Sequence, residues 1–234
     1  MKINYLFIYN RMNLGGLQVQ LADIFSKLGE NHNNRLTFIL RKADGELLSL
    51  IPSFVEIIDL NLNKTVIDAI KMIFSIAGQI RRLRPTVLIS FSDHISTLTA
   101  IARFWLGVKS KFYIVEGNFL SLSLPNVRFF ILRKLFINVF YKTATKIIVL
   151  TKAQKEDLIL NFKIPSGLIS IVNNWISPVF SKSVDKIKQL DKEIDILYVG
   201  RLERQKNLFV FIDIINIIKH KFPNIRAVIL GNGS

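Results

Sequence analysis

The chain has 234 residues, half of them hydrophobic and 21% charged, with 32 Lys plus Arg against 17 Asp plus Glu and a formal net charge of +15. This composition can bury a core, which excludes a wholly disordered chain. The lack of cysteine excludes a disulfide framework, a thiolate zinc site and a cysteine nucleophile. The three histidines, His32, His94 and His220, have no metal-ligand spacing, so no metal site is expected.

Residues 3–9 read as a first strand and not as a signal peptide, because no small-residue cleavage site follows them. Further apolar runs at 36–40, 55–59, 86–91, 111–115, 146–150, 169–172, 194–199 and 226–230 predict eight more strands. Helices are predicted between most of them. Over 17–28, Leu17, Leu21, Ile24, Phe25 and Leu28 share one helix face, and Gly29 supplies a stop. A second helix at 65–84 ends in Arg81, Arg82 and Arg84 before Pro85; others are predicted at 95–107, 126–143, 152–162 and 207–222. No stretch reaches the roughly 18 uninterrupted apolar residues that span a membrane. Strands alternating with helices, each strand a near-continuous apolar run, imply an α/β fold with a parallel sheet covered on both faces.

The polar stretch after Ser177-Pro178 marks a boundary. It predicts a first domain over 1–178, a linker at 179–192 and a partial second domain over 193–234. One βαβ unit cannot cover both faces of its own sheet, so the second domain is expected to be incomplete and the chain cut short.

Two segments bear on chemistry. Gly15 and Gly16 lie between the first strand and its helix, where amide groups can face an anion and where α/β sheets bind ligands; a plain tight turn is the alternative. Gly200-Arg201-Leu202-Glu203-Arg204-Gln205-Lys206-Asn207 follows a strand and opens a helix, with Asn207 as its candidate cap. Arginine can fork onto phosphate oxygens and lysine adds a point charge, which suits a diphosphate whose bond to a sugar is breaking; a solvated basic loop is the alternative.

That Gly-Arg-Leu-x-x-Gln-Lys-Asn run resembles the start of the second domain of family 4 glycosyltransferases, which have the GT-B fold. The Gly15-Gly16 loop, residues 146–158 and residues 169–176 resemble further family segments in the same order. The resemblance implies a GT-B architecture, with 1–178 as a Rossmann-like acceptor-side domain and 193–234 as an incomplete Rossmann-like donor-binding domain, and a retaining, metal-independent transfer of a sugar from a nucleotide diphosphate donor, with no cofactor. It maps donor binding onto Gly15, Gly16, Arg201 and Lys206. It makes Glu116, in Val115-Glu116-Gly117-Asn118, the candidate catalytic residue, the alternative being a strand-end carboxylate satisfied by local amides. His94 and Asn118 are expected to be acceptor-side or orienting residues; Asp93 either orients His94 or, as the preferred reading, caps the next helix. Trp175 departs from the Gly or Pro usual in the family, and no Glu-x7-Glu motif appears in 201–234.

The charge is concentrated: residues 101–150 carry eight basic groups and one acidic group. Within 126–146, Lys134, Asn138 and Lys142 form a polar stripe beside Phe129, Phe130, Phe136, Phe140 and Tyr141. Arg128, Arg133, Lys134 and Lys142 are therefore expected to contact an anionic membrane surface, the alternative being a half-buried helix with a solvated basic edge. The resemblance adds a lipid-linked or polysaccharide acceptor, as in lipopolysaccharide synthesis, and a cytoplasmic protein peripheral at the inner membrane face. The competing expectation is an inactive membrane- or acceptor-binding module without a donor site. Nucleic acid is the least favoured partner, because no recognised nucleic-acid motif accompanies the charge.

Overall fold

The computed structural model describes residues 3–127, 129–176, 194–202 and 206–232. The expected linker at 179–192 and the cation Arg128 lie outside the described residues. Two compact units divide the chain, Met1–Ser177 and Pro178–Ser234.

The first unit has seven strands, β1 (Asn4–Tyr9), β2 (Arg35–Leu40), β3 (Glu56–Asp59), β4 (Val87–Phe91), β5 (Lys111–Glu116), β6 (Lys146–Val149) and β7 (Ile169–Ile171). They form one sheet in the order β3-β2-β1-β4-β5-β6-β7, and every neighbouring pair is parallel. The order reverses between β1 and β4, the switch point at which open α/β sheets leave a crevice. The helices are α1 (Gly16–Gly29), α2 (Val66–Leu83), α3 (Asp93–Leu106), the short α4 (Leu120–Ser123), α5 (Phe130–Phe140) and α6 (Lys152–Phe162).

Consecutive residues Leu6, Phe7 and Ile8 of β1 are all buried, so both faces of the central strand are covered. One face packs Leu6, Ile8, Ile76, Ile80, Leu88 and Ile114. On the other, the Phe7 ring meets Phe25 edge-on at 4.8 Å, and Phe25 lies 5.0 Å from Phe38. Continuous Ile, Leu and Phe runs were needed because neither face meets water.

Local chemistry sets the helix ends. Thr65 caps α2 by accepting from the Asp68 amide, and Arg84, in the left-handed conformation, closes it before Pro85. Thr151 and Gln154 form a reciprocal capping box on α6. The helix α1 ends at Gly29, where the sequence predicts its stop, and Glu30 follows in a right-handed conformation. A Cβ on Gly29 would lie 2.3 Å from the exposed Phe54 ring. One expectation here needs correction. The predicted helix over 126–143 is interrupted: Phe129 is left-handed at φ 60, α5 begins at Phe130, and a 3-10 turn over Tyr141–Thr143 follows.

In the second unit, β8 (Ile196–Val199) pairs parallel with β9 (Ala227–Leu230), joined through α7 (Leu208–Lys221). No residue of α7 is buried. Asn207 precedes α7, but its side chain makes no capping bond.

Gly45 is a structural glycine that the sequence pattern does not expose. Its φ is +112, and a Cβ would lie 2.4 Å from the Met12 carbonyl carbon and 2.6 Å from the Asn13 nitrogen. Gly45→Ala is expected to cost about 2–3 kcal/mol, since both the backbone conformation and the packing must shift. Urea denaturation checks this; an unchanged midpoint would show that the loop yields freely.

Candidate functional site

The polar residues of the first unit collect where its strands end. Asn10 and Arg11 follow β1, Arg41 and Lys42 follow β2, Lys64 precedes α2 after β3, Asp93 and His94 follow β4, and Glu116 closes β5. The parallel sheet brings these ends to one edge.

The glycine loop opens α1 with Gly15 as its cap residue. The Gly15 φ of 173 is extended and open to any residue. A Cβ on Gly16 would meet nothing within 4 Å, so close backbone approach by a ligand, and not internal packing, is what a glycine here permits. The Leu14 amide is already held by Glu46 Oε2 at 3.2 Å, and Gln18 donates to the Tyr9 hydroxyl at 3.2 Å.

Glu116 is 1% exposed. The Tyr141 hydroxyl donates to its Oε2 at 3.0 Å, and its Oε1 has no hydrogen-bond partner. Burial, then the neighbouring charge of Asp93, pushes its pKa up to about 8, against the pull of Tyr141, the Asn118 amide and Arg133. The carboxyl is therefore mostly protonated at neutral pH. Tyr141 is itself buried, and its pKa is driven well upward by burial and by Glu116. Ser96 also hydrogen-bonds Tyr141, and Ser90 donates to Ser96 at 2.9 Å. Glu116 is thus a neutral acid beneath the strand ends, not an open carboxylate.

The loop after Glu116 is fixed from another element. Gln154 Nε2 donates to the Gly117 carbonyl at 2.8 Å, and Asp157 accepts from the Ser121 amide at 3.2 Å. Gln154 is a site residue that pattern reading missed. The Thr-x-x-Gln capping box was visible, but not the reach of the amide to Gly117.

Asp93 corrects one expectation. Ser92, and not Asp93, is the cap residue of α3, and its φ of 68 is a strained conformation for a residue with a Cβ. The Asp93 carboxylate instead forms an ion pair with Arg133 on α5, which engages Arg133 within the domain. The local capping preference was overridden by a partner 40 residues away. His94 is exposed; partial desolvation and the cations Arg133, Arg41 and Lys64 lower its pKa, against Asp93.

Lys134 and Lys142 are exposed, and the Lys134 ammonium sits 5.6 Å from the Phe162 ring centre. Beside them Phe129, Phe130, Ile131, Leu132 and Leu135 line an open apolar groove of about 380 Å³. Trp175, at the departure from the family pattern, is pinned to α1: its indole donates to Asp23 at 3.3 Å and its carbonyl accepts from Gln20 at 3.3 Å.

In the second unit, Arg201 and Lys206 are exposed after β8. Their loop is held by backbone bonds: Gly200 donates to Leu230, Leu202 to Asn232, and the Tyr198 hydroxyl to the Lys206 carbonyl. Gly231 is required here, because its Cβ would overlap the Gly200 oxygen at 1.8 Å. Among the described residues no group of three His, Cys, Asp or Glu is placed to hold a metal ion. Among them, too, no helix is long and apolar enough to cross a membrane.

These features define an α/β protein of Rossmann-like topology with its polar groups at the strand ends. Residues 180–234 match the family of glycosyl transferases group 1, and the chain has the GT-B fold. Its structure is similar to that of the lipopolysaccharide outer core galactosyltransferase WaaB in its apo form (TM-score 0.61, 17% identity, 99% of this chain and 69% of that one). It is similar to HepE of Anabaena in complex with UDP and glucose (TM-score 0.64, 17% identity, 98% and 61%). It also resembles the UDP-GlcNAc 2-epimerase of Neisseria meningitidis bound to UDP-GlcNAc (TM-score 0.62, 14% identity, 97% and 65%). The fold is therefore shared by transferases and epimerases. No curated protein matches the chain in sequence.

The Glu116 environment has a measurable consequence. Its folded pKa, about 8, lies above the ordinary value of 4.5, so between these limits the folded state binds more protons and stability falls as pH rises. Glu116→Gln mimics the neutral acid. Its stability advantage over the parent is expected to be small below pH 4.5 and to grow to a few kcal/mol by pH 8. Denaturation midpoints across that range test it; parallel pH curves for the two proteins would show that Glu116 is ionised.

Proposed function

We propose that the protein is a retaining glycosyltransferase that moves a sugar from a nucleotide diphosphate sugar to a glycan or lipid-linked acceptor in bacterial-type surface polysaccharide synthesis. The observation that carries this is the Gly200-to-Asn207 loop, which presents Arg201 and Lys206 at the carboxyl end of β8 within the family-matched segment. In the reaction the bond from the anomeric carbon to the diphosphate oxygen breaks and its electron pair leaves with the phosphate. An acceptor hydroxyl forms the new bond on the same face, and its proton passes to the departing phosphate oxygen. Arg201 and Lys206 hold the growing phosphate charge, a task that needs no metal ion. Gly15 and Gly16 are the first unit's candidate donor contacts, with open space beside Gly16 at the start of α1.

Glu116 serves this chemistry as a positioning residue. Neutral and bonded to Tyr141, it supports the Gly117 and Asn118 turn from below while Gln154 holds it from the side. Asn118 and His94 then face the acceptor side. Lys134 and Lys142 are exposed cations that fit an anionic membrane surface, and in this reading the protein works at the cytoplasmic face where lipid-linked acceptors lie. Nucleic acid has no role in this reading.

Assays against a panel of nucleotide sugars, with lipid-linked and soluble glycan acceptors, test the function. Arg201→Ala and Lys206→Ala should each lower turnover by roughly 30- to 1,000-fold, about 2–4 kcal/mol, and chelators should leave turnover unchanged. Full turnover in both variants would remove these residues from the mechanism. In vesicle flotation, the protein should bind anionic vesicles over neutral ones, and Lys134→Glu with Lys142→Glu should reduce binding several-fold. Equal binding to both vesicle types would overturn the membrane assignment.

A further inference from the structure

A helix packed on a sheet ordinarily turns its apolar stripe inward and a polar stripe to water. The helix α6 does so, exposing Lys152, Glu156 and Asn161. The helix α2 does not. Its inner face buries Met72, Ile76, Ala77 and Ile80, yet Ile67, Ile70 and Phe74, spaced i, i+3 and i+7, form a second apolar stripe that is exposed. The helix α5 repeats this arrangement. Its buried residue is Ile137, and Ile131, Leu135 and Val139, spaced i, i+4 and i+8, are exposed.

The helix α3 packs against both of them. It is buried from Ile95 to Ala100, but Phe104 and Trp105 at its end are 67% and 63% exposed. These two rings join the stripes. Trp105 meets Phe74 of α2 edge-on at 5.2 Å, and Phe104 meets Phe140 of α5 edge-on at 5.9 Å. Apolar residues exposed singly are ordinary, but a patch continuous over three helices marks an interaction surface.

The surrounding charges select what covers it. Between residues 66 and 150 the acids are Asp68, Asp93 and Glu116, and none is exposed. Asp68 accepts from the Asn63 amide and the Thr65 hydroxyl, Asp93 pairs with Arg133, and Glu116 is buried. Arg81 on α2, Lys109 after α3, Lys134 on α5 and Lys142 after it are all exposed. A second copy of the chain on this face would set like charges against one another, which opposes association. An anionic bilayer meets both halves of the pattern. Its headgroups attract the cations, its acyl boundary takes the apolar side chains, and tryptophan favours that depth.

We propose that the outer faces of α2 and α5, joined by the end of α3, insert together into the surface of an anionic membrane and lie in it without crossing it. This rests on the membrane reading carried by Lys134 and Lys142, and extends it from charge attraction at one helix to apolar insertion across three.

The chain's two tryptophans allow a direct test. Trp105 stands on the proposed face, whereas Trp175 bonds to Asp23 on α1. Tryptophan emission of the full chain is followed while vesicles of phosphatidylcholine, with and without phosphatidylglycerol, are titrated. Vesicles with brominated acyl chains report contact with hydrocarbon by quenching. With phosphatidylglycerol present, emission should move to the blue and be quenched; Trp175→Phe should keep this response and Trp105→Phe should lose it. In flotation with the same vesicles, Ile70→Ser with Phe74→Ser should lower partitioning by about tenfold or more, while Leu160→Ser on α6 should leave it unchanged. Flotation with anionic vesicles and no change in Trp105 emission would overturn apolar insertion and leave the charge-based membrane reading standing. No flotation with either vesicle type would overturn both. A Trp105 shift that follows protein concentration without vesicles, together with a dimer in sedimentation that Phe74→Ser dissociates, would assign the face to a second copy and overturn the membrane.

Discussion

Seven parallel strands covered on both faces leave polar chemistry little room except at the strand ends. The amino end is used for closure: Arg103 binds the Ser110 and Thr143 carbonyls, and the Ser110 hydroxyl donates to Pro85 at 2.6 Å. The carboxyl end is held differently. Side chains grip backbone groups of neighbouring loops, with Glu46 on Leu14, Asp59 on Ala43, Gln154 on Gly117 and Asn173 on Leu150. Buried or half-buried amides need such partners. Each bond also fixes a loop that a ligand would meet, so satisfaction of the backbone and preorganisation of the site come from the same contacts.

The strands and most helices were legible because burial on both faces demands unbroken apolar runs, which leave a plain pattern in 3–9, 86–91 and 111–115. The glycine loop and the Arg201-to-Lys206 segment were legible as spaced motifs. What pattern reading lost were pairings set by tertiary packing. Asp93 looked like a helix cap because its neighbours in sequence allow one; Arg133, remote in sequence, takes it instead. The basic aromatic helix looked continuous because composition does not reveal the left-handed turn at Phe129. Gly45 carries no motif, since its constraint is the passage of another loop.

The two most deeply buried ionisable groups at the carboxyl edge meet the same desolvation problem with different chemistry. A carboxyl can take up a proton, and Glu116 does so, accepting from Tyr141 while its second oxygen stays unpaired at tolerable cost. A guanidinium has no such exit. Burial, then Arg11, lowers the pKa of Arg41 while Asp44 and Asp68 raise it, and the group stays charged, so hydrogen bonds and nearby carboxylates offset its desolvation. Asn10 and Leu62 supply dipoles and no charge. Burial alone therefore does not mark a binding residue. Glu116 is as buried as Arg41, yet in its neutral state it asks for nothing from outside the chain. Arg41 stays charged, and Asn10, Leu62 and the nearby charges of Asp44 and Asp68 offset its burial from within the chain.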